Sequence, residues 1–590
     1  MEPPFWYAGM NNPNLQLIVH ADQVGLTTPE IDYKGVKITT VNKIENVNYL
    51  IIDLQLDKNV KPGSFIIKFI ENGKSKYSYS YELKIRKQDS AERKGFDAGD
   101  AIYLLMPDRF SNGDPKNDSQ PDMLEKADRT NPSGRHGGDI KGILNHLDYI
   151  KALGATAIWI NPLLENNNKS YTYHGYAITD FYKIDPRFGS NSDYVNLVSS
   201  AHSKGLKIIM DMVFNHCGIN HWFINDLPSK DWVNQHKEFT RSNFRAETIS
   251  DPHSSEYDQN LMLSGWFDNN MPDLNQQNPF VRNYLIQNSI WWIEYAGLDG
   301  IRMDTQPYSF KEMMPEWTMR INEEYPDFKI VGEAWMQKES MTAYWQKESF
   351  ISSGYNSGVD YITDFPLYNA ISKSFTEPEG WSEGMARIYY VLAQDFLYKN
   401  PYNLLIFADN HDLNRFFTSI NKDIDAYKLA MTFLLTTRGI PMIYYGTEFL
   451  MEGEEAKGHG FIRKDFPGGW QGDSLNYFNG QGFSDKQKEA FTFIQNILKW
   501  RITNEAVKSG KLTQYVPQEG VYVYFRESGQ SRIMVILNNS NETRAIETSR
   551  FKENLRGTIH GKNIVNGNPF TFRNTILLEP RQPLIIELYN

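Results

Sequence analysis

Between residue 101 and about residue 505, short apolar runs alternate with stretches of helical period. No other feature restricts the fold as tightly. The runs lie at 101–106, 155–160, 207–212, 298–303, 329–332, 359–362, 403–407 and 440–445, and a helical pattern such as 280–295 separates successive runs. Eight strand candidates, each followed by a crossover helix, predict a (β/α)₈ TIM barrel of the α/β class. Three carboxylates, Asp304, Glu333 and Asp412, fall at or just past the ends of such runs. In a barrel of parallel strands that is the face on which catalytic groups gather.

The flanks follow a different rule. From 1 to 88, period-two segments such as Leu15-Gln16-Leu17-Ile18-Val19-His20 recur between turn residues, which predicts an N-terminal, immunoglobulin-like β-sandwich. A charged stretch from Lys87 to Gly95 reads as a linker, and the barrel domain is expected over 96–505. The polar and aromatic stretch at 217–279 is too long for a plain loop and predicts a lobe inserted after the third strand. Short strands return over 508–590, predicting a C-terminal β-sandwich.

Composition narrows the partners. The net charge of −11, without a Lys/Arg block, favours neither nucleic acid nor an anionic membrane surface. No apolar stretch reaches the roughly 18 residues a membrane span needs. The single cysteine, Cys217, excludes an intrachain disulfide and is expected to be a small buried thiol. The N-terminus lacks the basic start and apolar core of a signal peptide. A leader removed before this numbering would imply the periplasm, and otherwise the cytoplasm is implied.

Five segments occur in order. They are Asp211-Met212-Val213-Phe214-Asn215-His216, Met271-Pro272-Asp273-Leu274-Asn275, Gly300-Ile301-Arg302-Met303-Asp304, Val331-Gly332-Glu333-Ala334-Trp335 and Asn410-His411-Asp412. Together they resemble the motifs of the α-amylase family of glycoside hydrolases, and the Met271 segment resembles its neopullulanase and oligo-1,6-glucosidase branches. The resemblance covers the whole chain and is greatest to cyclomaltodextrinases and neopullulanases.

It implies Asp304 as nucleophile, Glu333 as acid/base and Asp412 as a third, transition-state-binding carboxylate. Retaining hydrolysis needs the first two about 5 to 5.5 Å apart, a gap that adjacent parallel strands supply. Arg302, on the same strand face as Asp304, is expected to contribute to substrate binding and to hold the nucleophile's pKa down. Glu333 needs the opposite, a pKa raised by burial. The resemblance also assigns His174, Tyr176, His216 and His411 to sugar binding, with Tyr176 in the loop Tyr173-His174-Gly175-Tyr176 stacking on the apolar face of a sugar. Trp266 and Phe267 are candidates for outer platforms or for lobe packing.

The oxygen-rich loop Asn112-Gly113-Asp114-Pro115-Lys116-Asn117-Asp118 suits a hard cation, although such loops are also ordinary turns. Resemblance adds Gly137 and Asp139 and implies a structural Ca²⁺ held by Asn112, Asp114, Asn117, Asp118, Gly137 and Asp139, with no organic cofactor. Two departures stand out. Thr305-Gln306-Pro307-Tyr308 replaces the Lys-His or Asn-Glu pair common after the nucleophile, and Ala334-Trp335-Met336 lacks the His that follows the acid/base in many amylases.

The expected activity is retaining hydrolysis of α-1,4 bonds in cyclodextrins and maltooligosaccharides, with pullulan or starch as further substrates and a homodimer as the assembly. The alternatives are an α-1,6-glucosidase or transglycosylase of the same family, and a non-catalytic glucan-binding protein on the same scaffold.

Overall fold

The computed structural model describes residues 1–589. Its centre is a closed barrel of eight parallel strands: β1 (Ile102–Leu105), β2 (Ala157–Ile160), β3 (Lys207–Met212), β4 (Gly300–Met303), β5 (Lys329–Gly332), β6 (Tyr361–Thr363), β7 (Leu404–Phe407) and β8 (Ile440–Tyr444). Nearly every strand residue is buried, because one face fills the barrel and the other meets the helices. The continuous apolar runs of the sequence record that two-sided burial.

Register fixes what stands on the barrel's rim. Asp211 of β3 pairs with Arg302 of β4, which pairs with Val331 of β5. Met303 is level with Gly332, so Asp304 and Glu333 are each the first residue beyond that level. Their backbone amides continue the ladder, Asp304 donating to the Met212 carbonyl and Glu333 to the Met303 carbonyl, both at 2.9 Å.

At the N-terminus, a four-stranded sheet (Trp6–Ala8, Lys74–Ile85, Gly63–Glu71, Thr28–Ile31 in spatial order) faces a three-stranded one (Asn14–His20, Tyr49–Leu56, Val36–Asn42). Along Gly63–Glu71 only Phe65, Ile67 and Phe69 are buried, the alternation of a half-covered strand. Leu15 to Val19 are buried without alternation, since that strand also packs against the barrel. There Gln16 and Gln287 exchange two hydrogen bonds of 2.8 Å.

This domain runs down the outer flank of the barrel. Asn46 and Asn48 donate to the Asp226 carboxylate at the base of the inserted lobe, which also meets His20 at 2.9 Å. At the far end, Arg86 pairs with the buried carboxylates of Glu294 and Glu324 at 3.3 and 2.8 Å. The mouth of its own barrel is therefore not what the sandwich lines.

The C-terminal domain has a six-stranded sheet (Lys511–Gln518, Val521–Ser528, Ser531–Asn538, Pro583–Tyr589, His560–Asn563, Pro569–Thr571 in spatial order) and a two-stranded one (Arg544–Glu547, Thr575–Leu578). One face of Val521–Ser528 builds the domain's own core through Val523 and Phe525. The other carries Tyr522 and Tyr524 into the barrel's core. Arg526 seals the joint by donating to the carbonyls of Val507, Gly510 and Thr436.

Removing Arg86 would strand two buried carboxylates. Breaking such a pair costs about 3 to 5 kcal/mol, so Arg86→Ala should clearly lower the midpoint of the first thermal unfolding transition. An unchanged midpoint would show that the flank contact adds nothing to stability.

Candidate active site

The site is organised around one guanidinium. Arg302 is almost wholly buried, and its Nη1 donates to Asp211 Oδ1 at 2.8 Å and to Asp304 Oδ1 at 2.6 Å, while Nη2 meets Glu333 Oε1. Thr305 ties the two acids together from the next residue, its amide donating to Glu333 Oε2 at 3.0 Å and its hydroxyl to Asp304 Oδ2 at 3.2 Å. That requires φ of +45° at Thr305, an uncommon backbone for a β-branched residue.

Three carboxylates on one cation leave a surplus of negative charge in a buried place. Burial raises the Asp304 carboxyl to about 6, with Arg302 opposing and Asp211 reinforcing the rise. Glu333 goes up to about 7, again chiefly by burial and against Arg302. Asp211 rises to about 6. The sequence expectation that Arg302 depresses Asp304 is therefore corrected: the guanidinium limits the rise, and desolvation outweighs it. Arg302, expected also to bind substrate, lies beneath the acids with its guanidinium directed at all three of them.

Asp412, after β7, is different. Burial acts to raise it, but His411 and Arg463 outweigh burial and hold it well below the usual carboxylate range. Arg463 Nη2 donates to Asp412 Oδ1 at 2.7 Å, and its Nε donates to the His411 carbonyl at 2.6 Å. The His411 ring stacks on Tyr176 with centroids 5.5 Å apart, and the Tyr176 hydroxyl lies 2.7 Å from His411 Nε2 and 2.9 Å from Asp211 Oδ2. His174 accepts from the Tyr176 amide at 2.9 Å.

Burial holds the histidines neutral, His174 and His411 at about 3 and His216 at about 4. His411 Nδ1, His216 Nε2 and Asn161 Oδ1 are buried without a partner among the described residues. Buried groups of this kind are normally paired, so these atoms have hydrogen-bonding capacity left for a ligand. His174, Tyr176, His216, His411 and the three acids thus converge on one face of the barrel.

Phe267 stacks on His216 at 4.9 Å, whereas Trp266 donates from Nε1 to the Asn234 carbonyl within the lobe. Of the two platform candidates, Phe267 faces the site and Trp266 holds the lobe. The Met271 segment sews the lobe to β3, the Cys217 amide donating to the Pro272 carbonyl and the Leu274 amide to Asn215. Cys217 is buried as expected.

Sequence reasoning missed two features. Arg463 sits in the long loop after β8, where no period or motif marks it. Trp335 is 42% exposed two residues after Glu333 and stacks on Phe365 at 4.6 Å. An alternating position beside the acid would have been the signal for it.

Comparison with known proteins decides the lineage. The model described as "Alpha amylase, catalytic domain" matches residues 104–492, well over half of the chain. The chain belongs to the α-amylase family. Models of the cyclomaltodextrinase N-terminal and C-terminal domains match residues 1–87 and 512–587. A cyclomaltodextrinase of Thermoanaerobacter pseudethanolicus is 28% identical over 75% of this chain and 71% of its own length. Neopullulanase 2 of Thermoactinomyces vulgaris is 27% identical over 75% and 70%. Against the Beta/alpha-amylase of Paenibacillus polymyxa, 27% identical over 82% of this chain, the chain spans only 37% of the relative's length. Among solved structures, the α-amylase of Geobacillus thermoleovorans complexed with acarbose superposes with a TM-score of 0.68 and 29% identity over 84% of this chain and 99% of that one.

The family's acidic cluster carries a cost in stability. A carboxyl raised to about 6 from 3.8 stabilises the fold at low pH, and that contribution is lost as the pH rises through 6. Asp304→Asn removes the dependence, so its melting temperature relative to the unsubstituted protein should be higher at pH 8 than at pH 5. An equal difference at both pH values would mean that Arg302 cancels the burial penalty.

Proposed function

We propose that this chain is a retaining hydrolase of α-1,4-glucosidic bonds in cyclodextrins and maltooligosaccharides. The observation that carries the reading is the pair Asp304 and Glu333 on one guanidinium, with the more strongly raised group, Glu333, able to keep a proton near neutrality. The names of the cyclomaltodextrinase and neopullulanase relatives support the substrate class.

In this reading the Asp304 carboxylate attacks the anomeric carbon while Glu333 passes its proton to the departing glycosidic oxygen. Glu333, now ionised, takes a proton from water as that water attacks the glycosyl ester and releases Asp304. Arg302 holds both acids in place through the two steps. Asp412 stays ionised throughout and favours the positively charged transition state, and the unpaired His411 and His216 nitrogens receive hydroxyls of the reacting sugar.

Near pH 6 to 7 the coupled pair holds one proton, the state the first step needs. Activity on maltotetraose and β-cyclodextrin should therefore be bell-shaped in pH, with retained anomeric configuration by NMR. Turnover should fall by several orders of magnitude in Asp304→Asn, since the covalent step is lost. Comparable turnover in that folded variant would remove Asp304 from its role. Faster hydrolysis of starch than of β-cyclodextrin at matched glucose concentration would favour an ordinary α-amylase. The resemblance also implies a homodimer in which one subunit's N-terminal sandwich narrows its partner's site, and that result would count against it.

For calcium, the loop over Asn112–Asp118 offers a consistent donor set. Asn112 Oδ1 and Asn117 Oδ1 are buried without partners among the described residues. Burial raises Asp118 to about 6, and a Cβ on Gly137 would meet its carboxyl carbon at 2.6 Å. Asp139 fits less directly, since its carboxylate already accepts from the amides of Gly113, Asp114 and Gly142 and from Asn117 Nδ2. In the proposed site, Asn112, Asn117 and Asp118 offer side-chain oxygens and Asp139 folds the loop. A bound hard cation would supply positive charge to this cluster. Chelation should lower the melting temperature and do so much less in Asp118→Ala. A melting temperature indifferent to chelator, with no metal by elemental analysis, would leave the loop an ordinary turn.

A further inference from the structure

Outside the active site, the outer layer of the barrel holds a second cleft. It opens where the helices Ile424–Thr436 and Asp485–Arg501 meet the C-terminal domain, and its volume of about 660 Å³ is that of a small-molecule site. Buried Pro583 and Leu584 and the half-buried ring of Phe493 give it apolar surface. The turn over 563–568, which joins two strands of the C-terminal sheet, supplies polar groups.

Three carboxamides in this cleft are held in the same manner. Asn563 Oδ1 accepts from the Val565 amide, Asn566 Oδ1 from the Asn568 amide and Gln582 Oε1 from the Glu579 amide, all at 3.0 Å. A backbone N–H can only donate, so the oxygen of each carboxamide is the atom that faces it and the NH₂ end is left over as an oriented donor. None of these three NH₂ groups has a partner among the described residues. At Asn563 this is costly, because the residue is only 5% exposed and buried polar groups are normally paired. Its Nδ2 is a donor without an acceptor on the surface of a cleft.

Charge gives an ion little to hold there. Carboxylates outnumber cations in the lining, which disfavours an anion. Lys428 pairs with Glu489, and Arg581 donates to Asp423 at 3.1 Å and to the Phe375 carbonyl at 3.2 Å. The set fits a neutral ligand rich in hydroxyls: the oriented NH₂ groups donate to hydroxyl oxygens, Asp425 accepts from hydroxyl hydrogens, and the Phe493 ring meets an apolar C–H face.

We infer that this cleft is a second α-glucan-binding site, which holds a short linear run of glucose units away from the catalytic acids. That the saccharide is an α-glucan rests on the hydrolase reading above. A long chain that touches both clefts is held by two contacts and bound more tightly than by either alone, whereas a short oligosaccharide in the active site gains nothing from the second.

The test separates those two ligands. Affinity electrophoresis through glycogen is run on the Asp304→Asn chain, which leaves the polymer uncut. Asn563→Asp keeps the shape and the bond from Val565 but turns the free donor into an acceptor, and Asn566→Arg fills the cleft from an exposed position. In both, the apparent Kd for glycogen should rise at least about five-fold. With Asp304 restored, kcat/KM for maltotetraose should stay within about two-fold of the unsubstituted value. An unchanged glycogen Kd in both variants, with folding confirmed by circular dichroism, overturns the inference and leaves the hydrolase reading intact. A fall in kcat/KM for maltotetraose that matches the loss of glycogen binding would place the effect in the active site and overturns it as well. If the unsubstituted protein does not cleave maltotetraose, the hydrolase reading has failed, and a glycogen Kd raised in both variants still supports the second site.

Discussion

A buried cation shared by three carboxylates is the constraint on which the rest of this structure depends. Arg302 could not remain charged inside the barrel without Asp211, Asp304 and Glu333, and they could not lie so close without it. The mismatch in number is functional. One positive charge cannot satisfy three negative ones in a desolvated place, so a proton is retained over the range in which the reaction needs one. Strand register makes this possible. Asp211 and Arg302 are level on β3 and β4, and Asp304 and Glu333 follow Arg302 and its partner Val331 by two residues, which returns each side chain to the same face.

Asp412 shows the opposite solution, and the loops explain why. Its partner Arg463 belongs to a loop anchored to the segment around residues 109–139: Phe466 donates to the Arg109 carbonyl, Asn112 to Gly469, and Trp470 Nε1 to the His136 carbonyl. Arg129 clamps the same loop through Asp465 and Asp473. A second guanidinium, delivered from outside the barrel and fixed by these contacts, gives Asp412 a cation it does not share with the catalytic pair. Two groups of the same type, with carboxyls in one cleft, are thereby driven to opposite protonation states.

The barrel and its rim were legible in the sequence because they obey short-range rules. Continuous apolar runs mark strands buried on both faces, and a carboxylate just beyond such a run has few places to be except the rim. Arg463 was not legible, since its value comes from loop contacts to residues more than three hundred positions away. The direction of the Asp304 shift was also not legible: adjacency to Arg302 can be read from spacing, but the extent of desolvation depends on how completely the rim closes. Asp139 shows the same limit. Its place before a helix, with its side chain accepting from Gly142, explains its position as well as a metal would.

The inserted lobe links these levels. Its Met271 segment pairs with the end of β3, its Asp226 is gripped by the N-terminal sandwich, and it carries Phe244 and Phe267 toward the acids. Were the lobe free to shift, Phe244 and Phe267 would separate from Tyr308. Anchoring at two independent points, one on the barrel and one on the sandwich, prevents this. The N-terminal domain can therefore act on the cleft without lining it: by fixing the base of the lobe, it fixes where Phe244 and Phe267 stand opposite the polar half.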